Sequence, residues 1–162
     1  MPGSDDCRHG ARIDVSPRPT YTNFPMARVP LKDGLLSTIE PAADPRLLAG
    51  RCADCRQLHF PAADACPYCA GGRCEIVCLS NRGTLFAFTA VEKPPPGYRG
   101  KVPYGLGVVE LPEGIRVVSR LSDARLDRMF VGMPMRLAVE DIFENADGDT
   151  VVGWTFAPEA AA

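Results

Sequence analysis

The chain has 162 residues, of which 46% are hydrophobic, so it can bury the core of one ordinary domain or of two small ones. Its formal net charge of −2 argues against a protein built to bind polyanions. No apolar run reaches the length of about 18 residues that a membrane-spanning helix needs, and the N-terminus lacks a signal-peptide core. We therefore expect a cytoplasmic protein, in which paired cysteines are metal ligands or redox groups more often than disulfides.

Residues 1–45 form the first of three predicted zones, and they are rich in proline. The seven prolines of this zone prevent long helices. The sequence predicts an extended arm that is ordered only where it packs, with one short helix around residues 35–39. The zone has too few apolar residues for a core of its own. We therefore expect its larger apolar side chains to dock on a neighbouring protein: Leu31, Leu35, Leu36 and Ile39.

The second zone, residues 46–73, holds four of the chain's seven cysteines. Two Cys-x-x-Cys pairs, separated by ten residues, are formed by Cys52, Cys55, Cys66 and Cys69. Zinc takes four tetrahedral ligands and favours thiolates, which two such turns on a short hairpin can supply. The pattern predicts a zinc ribbon with one structural Zn²⁺ per chain, since four cysteines leave no position open for water or substrate. An iron ion in the same cage and a pair of redox motifs are the alternatives.

The third zone, residues 74–162, is rich in β-branched and aromatic residues and predicts strands. Residues 111–114 (LPEG) and 145–149 (NADGD) have the composition of hairpin turns. About five strands joined mostly by short turns favour a small closed barrel, and Gly83 permits the bend that such a barrel needs. The predicted fold is thus mainly β: an arm, a zinc ribbon and a five-stranded barrel.

The remaining cysteines and histidines give weaker signals. Cys74 and Cys78 fall on one side of a predicted strand together with Ile76, which favours two small buried thiols over spare metal ligands. Cys7 lies in the arm and is expected to be a free thiol. The two histidines are His9 and His59; for His59, next to an aromatic residue of the ribbon, a packing or surface role is favoured over catalysis.

One loop of the barrel zone stands out, residues 92–105, with the sequence EKPPPGYRGKVPYG. It is long and proline-rich, and it carries cations in a zone that is otherwise acidic. One interpretation is a solvated connection between two strands. The other is a contact surface for a partner or for a ligand that carries phosphates, since proline lowers the entropy lost on docking and cations suit phosphates. The residues that would make this contact are Lys93, Tyr98, Arg99 and Lys101.

The order of segments along the chain also carries a resemblance. These segments are LLAGRCADCRQLHFP, CPYC, SNRGTLFAFTAVEK, PYGLGVVELPEGIRV and VGMPMRLAVED. They resemble the DUF35 family, in which a rubredoxin-like zinc ribbon precedes an OB-fold, over about residues 34–158. The four paired cysteines fall on the family's ligand positions. Gly83, Pro103, Tyr104, Glu113, Gly114, Gly132 and Met133 fall on its recurrent OB-fold positions. Arg56 replaces a usual glycine, and Ala62 and Ala63 replace part of a usual Pro-Pro-Arg stretch.

The resemblance implies a function. DUF35 proteins serve as small accessory subunits of acyl-CoA enzymes, in hetero-oligomers with thiolase-like proteins or with acyl-CoA hydratases and aldolases. It implies that the catalytic residues lie on the partner and that this chain can border a shared CoA thioester site. The CoA- or partner-contacting residues would then be Lys93, Tyr98, Arg99 and Lys101. A nucleic-acid-binding module is the alternative, because OB-folds and zinc ribbons both serve that use. The barrel zone, with 9 basic and 12 acidic residues, lacks the basic groove that such binding needs.

Overall fold

A computed structural model describes residues 27–159 of the chain. Within that range the regular secondary structure is almost entirely β-strand. The strands are β1 (Arg28–Pro30), β2 (Leu48–Cys52), β3 (Leu58–His59), β4 (Cys74–Cys78), β5 (Arg82–Val91), β6 (Tyr104–Glu110), β7 (Arg116–Leu121), β8 (Pro134–Glu144) and β9 (Thr150–Pro158). Two single-turn 3₁₀ helices, Pro41–Ala43 and Leu126–Arg128, complete the described elements. No helix among them has the length and apolar character needed to cross a membrane.

Five strands close into a barrel in the order β9-β7-β6-β5-β8, and β8 pairs with β9 to complete the ring. Neighbouring strands are antiparallel except β7 and β9, which run parallel. Strand β1 adds to the outside of the ring by pairing in parallel with β9. Burial alternates along β6 and β7, as it must where one face of a strand points into a barrel. The mainly-β prediction with a five-stranded OB-fold barrel is confirmed.

Both predicted hairpin turns are present, and Gly83 has a clear structural reason. Residues 111–114 connect β6 to β7, and residues 145–149 connect β8 to β9. A Cβ atom on Gly83 would lie 2.5 Å from the carbonyl oxygen of Glu110, so only glycine lets β5 and β6 approach this closely. The irregularity in the β5–β6 pairing comes just after, between Leu85 and Ala87, where the strand forms a bulge.

The end of the arm differs from the prediction. Residues 35–39 form no helix. Instead the backbone N–H of Leu48 donates to the carbonyl of Leu35, and that of Ser37 donates to the carbonyl of Arg46. This segment therefore lies extended beside the start of the ribbon. A helix is excluded because Gly34 adopts a φ of +76° on one side and Pro41 follows on the other, which leaves too few residues to nucleate one.

The predicted docking residues of the arm divide into two groups. Leu35 is 7% exposed, and Leu36 packs against the chain's own core, so neither is left for a neighbour. The expectation that they dock on another protein is therefore wrong. Leu31 remains 48% exposed and Ile39 is half-buried, so docking of these two on a neighbour stays a prediction. Most of the predicted arm, including Cys7 and His9, lies outside the described residues.

The ribbon is a second, three-stranded sheet in the order β3-β2-β4. Strand β4 pairs with β2 along its whole length, so the ribbon sheet continues past residue 73, where the sequence placed its end. The ribbon packs directly on the barrel. Leu47 and Leu79 belong to the same buried cluster as the barrel residue Phe156, and the rings of Phe60 and Trp154 meet edge to face at 5.7 Å.

A carboxylate fixes the junction between the ribbon and the barrel. Glu113, in the turn between β6 and β7, accepts hydrogen bonds from both the backbone N–H and the hydroxyl of Ser80, each at 2.7 Å. Ser80 lies between β4 and β5, where the chain leaves the ribbon sheet. A single side chain thus holds the connecting segment against the base of the barrel.

We expect Glu113→Ala to lower the free energy of unfolding by about 1–3 kcal/mol, because it leaves the partly buried Ser80 N–H without its acceptor. Urea unfolding of the metal-loaded chain measures the loss. Glu110→Ala is the matched control, since Glu110 forms a 3.4 Å surface ion pair with Arg116 whose loss should cost less than about 1 kcal/mol. Equal losses for the two variants would show that the junction does not depend on Glu113.

Candidate functional site

The structure brings the four paired cysteines together. Cys52 ends β2 and Cys55 follows in the next turn, while Cys66 and Cys69 lie in the turn before β4. Their sulfur atoms all lie within 4.8 Å of one another. The Sγ atoms of Cys52 and Cys69 are 3.6 Å apart, as are those of Cys55 and Cys66. The chain therefore forms one compact four-sulfur cluster.

The two Cys-x-x-Cys turns have the same backbone conformation. The N–H of Arg56 donates to the carbonyl of Cys52 at 2.9 Å, and the N–H of Ala70 donates to the carbonyl of Cys66 at 2.9 Å. Arg56 and Ala70 both adopt the left-handed conformation, with φ of 63° and 59°. Glycine is the residue that takes this conformation without strain. This explains why the family that the sequence resembles usually has glycine where this chain has Arg56.

Replacing Arg56 with glycine should raise the free energy of unfolding of the metal-loaded chain by about 0.5–1 kcal/mol, because relief of the left-handed backbone exceeds the added entropy of the unfolded chain. Thermal unfolding measures the change. Arg51→Gly is the control: this exposed residue lies in β2, where glycine should destabilise. If Arg56→Gly also destabilises, the backbone at this turn carries no strain.

The cluster fits a tetrahedral zinc ion. With Zn–S bonds of about 2.3 Å, the sulfurs of a regular tetrahedron lie about 3.8 Å apart, close to the spacing of the two short pairs here. Cys52 and Cys66 are 1% and 2% exposed, so half of the donor set is closed to solvent. Four protein sulfurs fill the coordination sphere, which is the composition of a structural site.

The ionisation of the thiols also favours a bound cation. A hydrogen bond from the backbone of Cys55 lowers the pKa of the Cys52 thiol to about 6. The backbone of Gly71 acts in the same direction on Cys69, but the sulfurs of Cys52 and Cys55 raise the pKa of Cys69 to about 12. Cys52 and Cys69 therefore ionise together at neutral pH only if a cation is present. Since protons compete with the metal, metal affinity should fall as the pH is lowered.

An ion pair between Asp54 and Arg73 braces the two turns from outside. Gly71 makes room for it, because a Cβ atom there would lie 2.5 Å from a carboxylate oxygen of Asp54.

His59 has a packing role, as predicted: it is 4% exposed, and its ring lies where a Cβ on Gly50 would be. The ribbon thus closes around the cluster with very little apolar material.

The prediction for the other cysteines of β4 needs correction. Cys74 and Cys78 are half-buried rather than buried, and Ile76 between them is 66% exposed. The reason is that β4 lies at the edge of a small sheet, and this face of it is left partly open. Cys74 is a free thiol.

The loop of residues 92–105 is held against the barrel by Tyr98. The rings of Tyr98 and Tyr104 lie 5.0 Å apart, and the guanidinium of Arg120 stacks over Tyr104 at 4.9 Å while donating to the Tyr98 hydroxyl. Gly100 is required beside them, since a Cβ there would lie 2.4 Å from that hydroxyl. Tyr98 is thus engaged within the chain.

The three cations of the same loop remain exposed: Lys93, Arg99 and Lys101. Arg99 lies 6.0 Å from the ring of Phe143, at the far end of β8. The structure therefore leaves these three charges available for a contact, and their role stays a prediction.

The barrel carries an exposed apolar surface that was not predicted from the sequence, and we call it the apolar stripe. Its large members are 42–65% exposed: Phe86, Val118, Phe130 and Val131. Ala87, Val108 and Val118 are consecutive cross-strand partners on β5, β6 and β7. The backbone of residues 130–133 lies beside β5, since Gly132 donates to Leu85 and Leu85 donates to Met133. The members of the apolar stripe therefore lie on three adjacent strands and on the segment that leads into β8.

Two family models match the chain in succession. The ChsH2 rubredoxin-like zinc ribbon domain matches residues 40–75, and the ChsH2 C-terminal OB-fold domain matches residues 77–140. The first match contains β2 and β3 of the ribbon, and the second contains β5, β6, β7 and the first part of β8.

Individual relatives agree with this. A DUF35 domain-containing scaffold protein of Pyrococcus furiosus is 32% identical over 114 residues, 70% of this chain and 83% of that protein. The benzoylsuccinyl-CoA thiolase subunit BbsA of Thauera aromatica is 34% identical over 116 residues, 69% of this chain and 76% of the subunit. A solved structure described as Ltp2-ChsH2(DUF35) aldolase superposes with a TM-score of 0.55 at 28% identity, covering 70% of this chain and 84% of that one.

Proposed function

Because the chain belongs to the DUF35 family of zinc-ribbon and OB-fold proteins, we propose that it is a non-catalytic subunit of an acyl-CoA-processing complex. A thiolase-like partner is the first choice, and an acyl-CoA hydratase or aldolase is the second. Relatives named as a thiolase subunit, a probable enoyl-CoA hydratase alpha subunit and an aldolase complex support this proposal. The subunit stabilises its partner and borders the partner's CoA site.

The observation that carries the proposal is the closed metal centre. We assign one structural Zn²⁺ per chain to Cys52, Cys55, Cys66 and Cys69, whose spacing suits a tetrahedral ion. A centre with four protein ligands offers no position for a substrate. The described residues contain a single histidine, His59, and its ring is buried against Gly50 rather than presented to a substrate. The chemistry therefore belongs to the partner.

The comparisons favour this function over nucleic-acid binding, because the relatives are named as scaffold proteins and enzyme subunits. The charge of the barrel agrees, with 9 basic and 12 acidic residues from residue 74 onward. Binding of single-stranded DNA or RNA that weakens steeply with salt would reverse this ranking.

The proposal is tested by purifying the tagged chain from its source organism and identifying the co-purifying proteins by mass spectrometry. We expect a thiolase-like protein, hydratase or aldolase in a stable complex. The partner, produced alone, should then turn over its CoA thioester poorly, and adding the zinc-loaded chain should restore activity. The proposal would be refuted if the chain purified alone, or if the partner were equally active without it.

For the CoA site, we propose that Lys93, Arg99 and Lys101 face the phosphates of the bound thioester. Changing all three to alanine should raise the partner's KM for the thioester about tenfold with little effect on kcat, since the lost attraction acts on binding. Tyr98 is left unchanged because it anchors the loop. The control is Lys32→Ala with Arg128→Ala, two exposed cations outside the loop. An unchanged KM in the complex would make the loop a connection only.

A further inference from the structure

A fifth cysteine lies beside the metal centre. Strands β2 and β4 place Cys52 directly opposite Cys74. The N–H of Ala53 donates to the carbonyl of Arg73 at 2.8 Å, which makes Cys52 and Cys74 a non-hydrogen-bonded pair of the antiparallel ladder. In such a pair the two Cα atoms are only about 4.5 Å apart and both side chains lie on the same face of the sheet.

The surroundings of the Cys74 thiol agree with this register. Its sulfur lies 4.0 Å from the carbonyl oxygen of Gly71, a distance that makes the contact weak. Gly71 itself follows the second Cys-x-x-Cys turn, so the thiol lies beside the backbone of the metal centre. Cys74 is half-buried and forms no disulfide.

We infer that Cys74 is a reserve ligand of the metal centre, able to replace Cys52 on a thiophilic divalent cation such as zinc. In the exchange, the Cys74 sulfur bonds to the metal as it gives up its thiol proton, and the bond from the metal to Cys52 breaks. The released Cys52 thiolate, on the residue directly opposite, takes up that proton. The metal keeps four thiolates and the total charge does not change, so the exchange needs neither an oxidant nor a reductant.

The exchange is specific to Cys52 for a geometric reason. Cys52 alone among the four ligands lies on a strand that pairs with β4. Cys55, Cys66 and Cys69 lie in turns, outside that ladder. Losing Cys52 should therefore be tolerated, whereas losing Cys66 should not.

The test is a set of serine variants of the full chain, loaded with zinc and then exposed to a competing chelator. Bound zinc is measured by elemental analysis. Cys74→Ser should hold one equivalent, as the unchanged chain does, and Cys52→Ser should retain most of it. Cys66→Ser and the double variant Cys52→Ser with Cys74→Ser should each hold less than about half an equivalent. Cobalt-loaded samples give a second measurement, since the thiolate charge-transfer absorption of Cys52→Ser should match four sulfurs and that of the double variant three.

The inference is overturned if Cys52→Ser loses zinc as readily as Cys66→Ser, or if removing Cys74 as well makes no further difference. Cys52→Ala is made in parallel, so that a specific effect of the serine hydroxyl is recognised. Failure of both Cys52 variants to bind metal or fold in excess zinc counts against the inference, because a working reserve ligand would rescue them.

Discussion

Cys66→Ser should empty the metal centre and unfold the ribbon while the barrel stays folded. Cys66 is 2% exposed, and its sulfur lies 3.6 Å from that of Cys55, so a serine there removes a buried ligand from the middle of the cluster. The ribbon consists of two five-residue strands and one of two residues. Binding of structural zinc contributes about 10–16 kcal/mol of apparent free energy in peptides of this kind, which far exceeds what so small a sheet can bury.

Elemental analysis should find the zinc content of this variant well below one equivalent. Hydrogen exchange separates the two parts of the chain: residues 48–78 should lose protection, while β6 and β7 should keep theirs because they pair with each other along six residues and their side chains Val109 and Val117 are buried in the barrel. Cys74→Ser is the control and should change neither readout. Full zinc occupancy in Cys66→Ser, or the same loss of protection in both sheets, would mean that the four cysteines do not form the site proposed for them.

The metal centre was predictable because its four ligands lie close together in the sequence. Two Cys-x-x-Cys pairs ten residues apart can reach one ion whatever the rest of the chain does, and their sulfurs do lie within 4.8 Å. The turns at residues 111–114 and 145–149 were predictable for the same reason, since their glycines, Gly114 and Gly148, supply the positive φ that each turn requires.

The segment at residues 35–39 was mispredicted because its conformation depends on pairing with residues outside the segment. Its leucines suggested a helix, but Leu36 forms a bridge with Leu47, and its backbone is satisfied by the start of the ribbon. Local propensity is a weak prior, and tertiary pairing overrides it. The half-burial of Cys74 and Cys78 has the same origin, since exposure of an edge strand depends on what else covers the sheet.

The apolar stripe and the anchoring of Tyr98 depend on strand register, which the sequence does not display. In TLFAF, residues 84–88, four of the five side chains are apolar, and the pattern alone does not say which of them point outward. The bulge between Leu85 and Ala87 decides it, leaving Phe86 exposed. Likewise, the contact of Tyr98 with Arg120 joins residues 22 positions apart. Cross-strand geometry, rather than composition, creates both surfaces.

The apolar stripe leads to the second large prediction, which concerns assembly. Large apolar side chains left exposed on neighbouring strands mark a surface that can bind another protein. Given the proposed function, we expect the partner subunit to cover it. Val118→Asp combined with Val131→Asp should abolish co-purification of the partner, because burying two unpaired carboxylates opposes binding and the apolar contact of both side chains is lost.

The expected loss is at least about 3 kcal/mol, or more than a hundredfold in Kd, which surface plasmon resonance or analytical ultracentrifugation of the reconstituted complex measures. Val118 and Val131 are 61% and 65% exposed, so thermal stability and zinc content should stay unchanged. Ala42→Asp adds a charge at an exposed position of the linker before β2 and is the matched control. Partner binding that survives both stripe substitutions would move the interface to the ribbon and the loop of residues 92–105. A complex lost equally in the control would show that added charge alone, rather than this surface, prevents assembly.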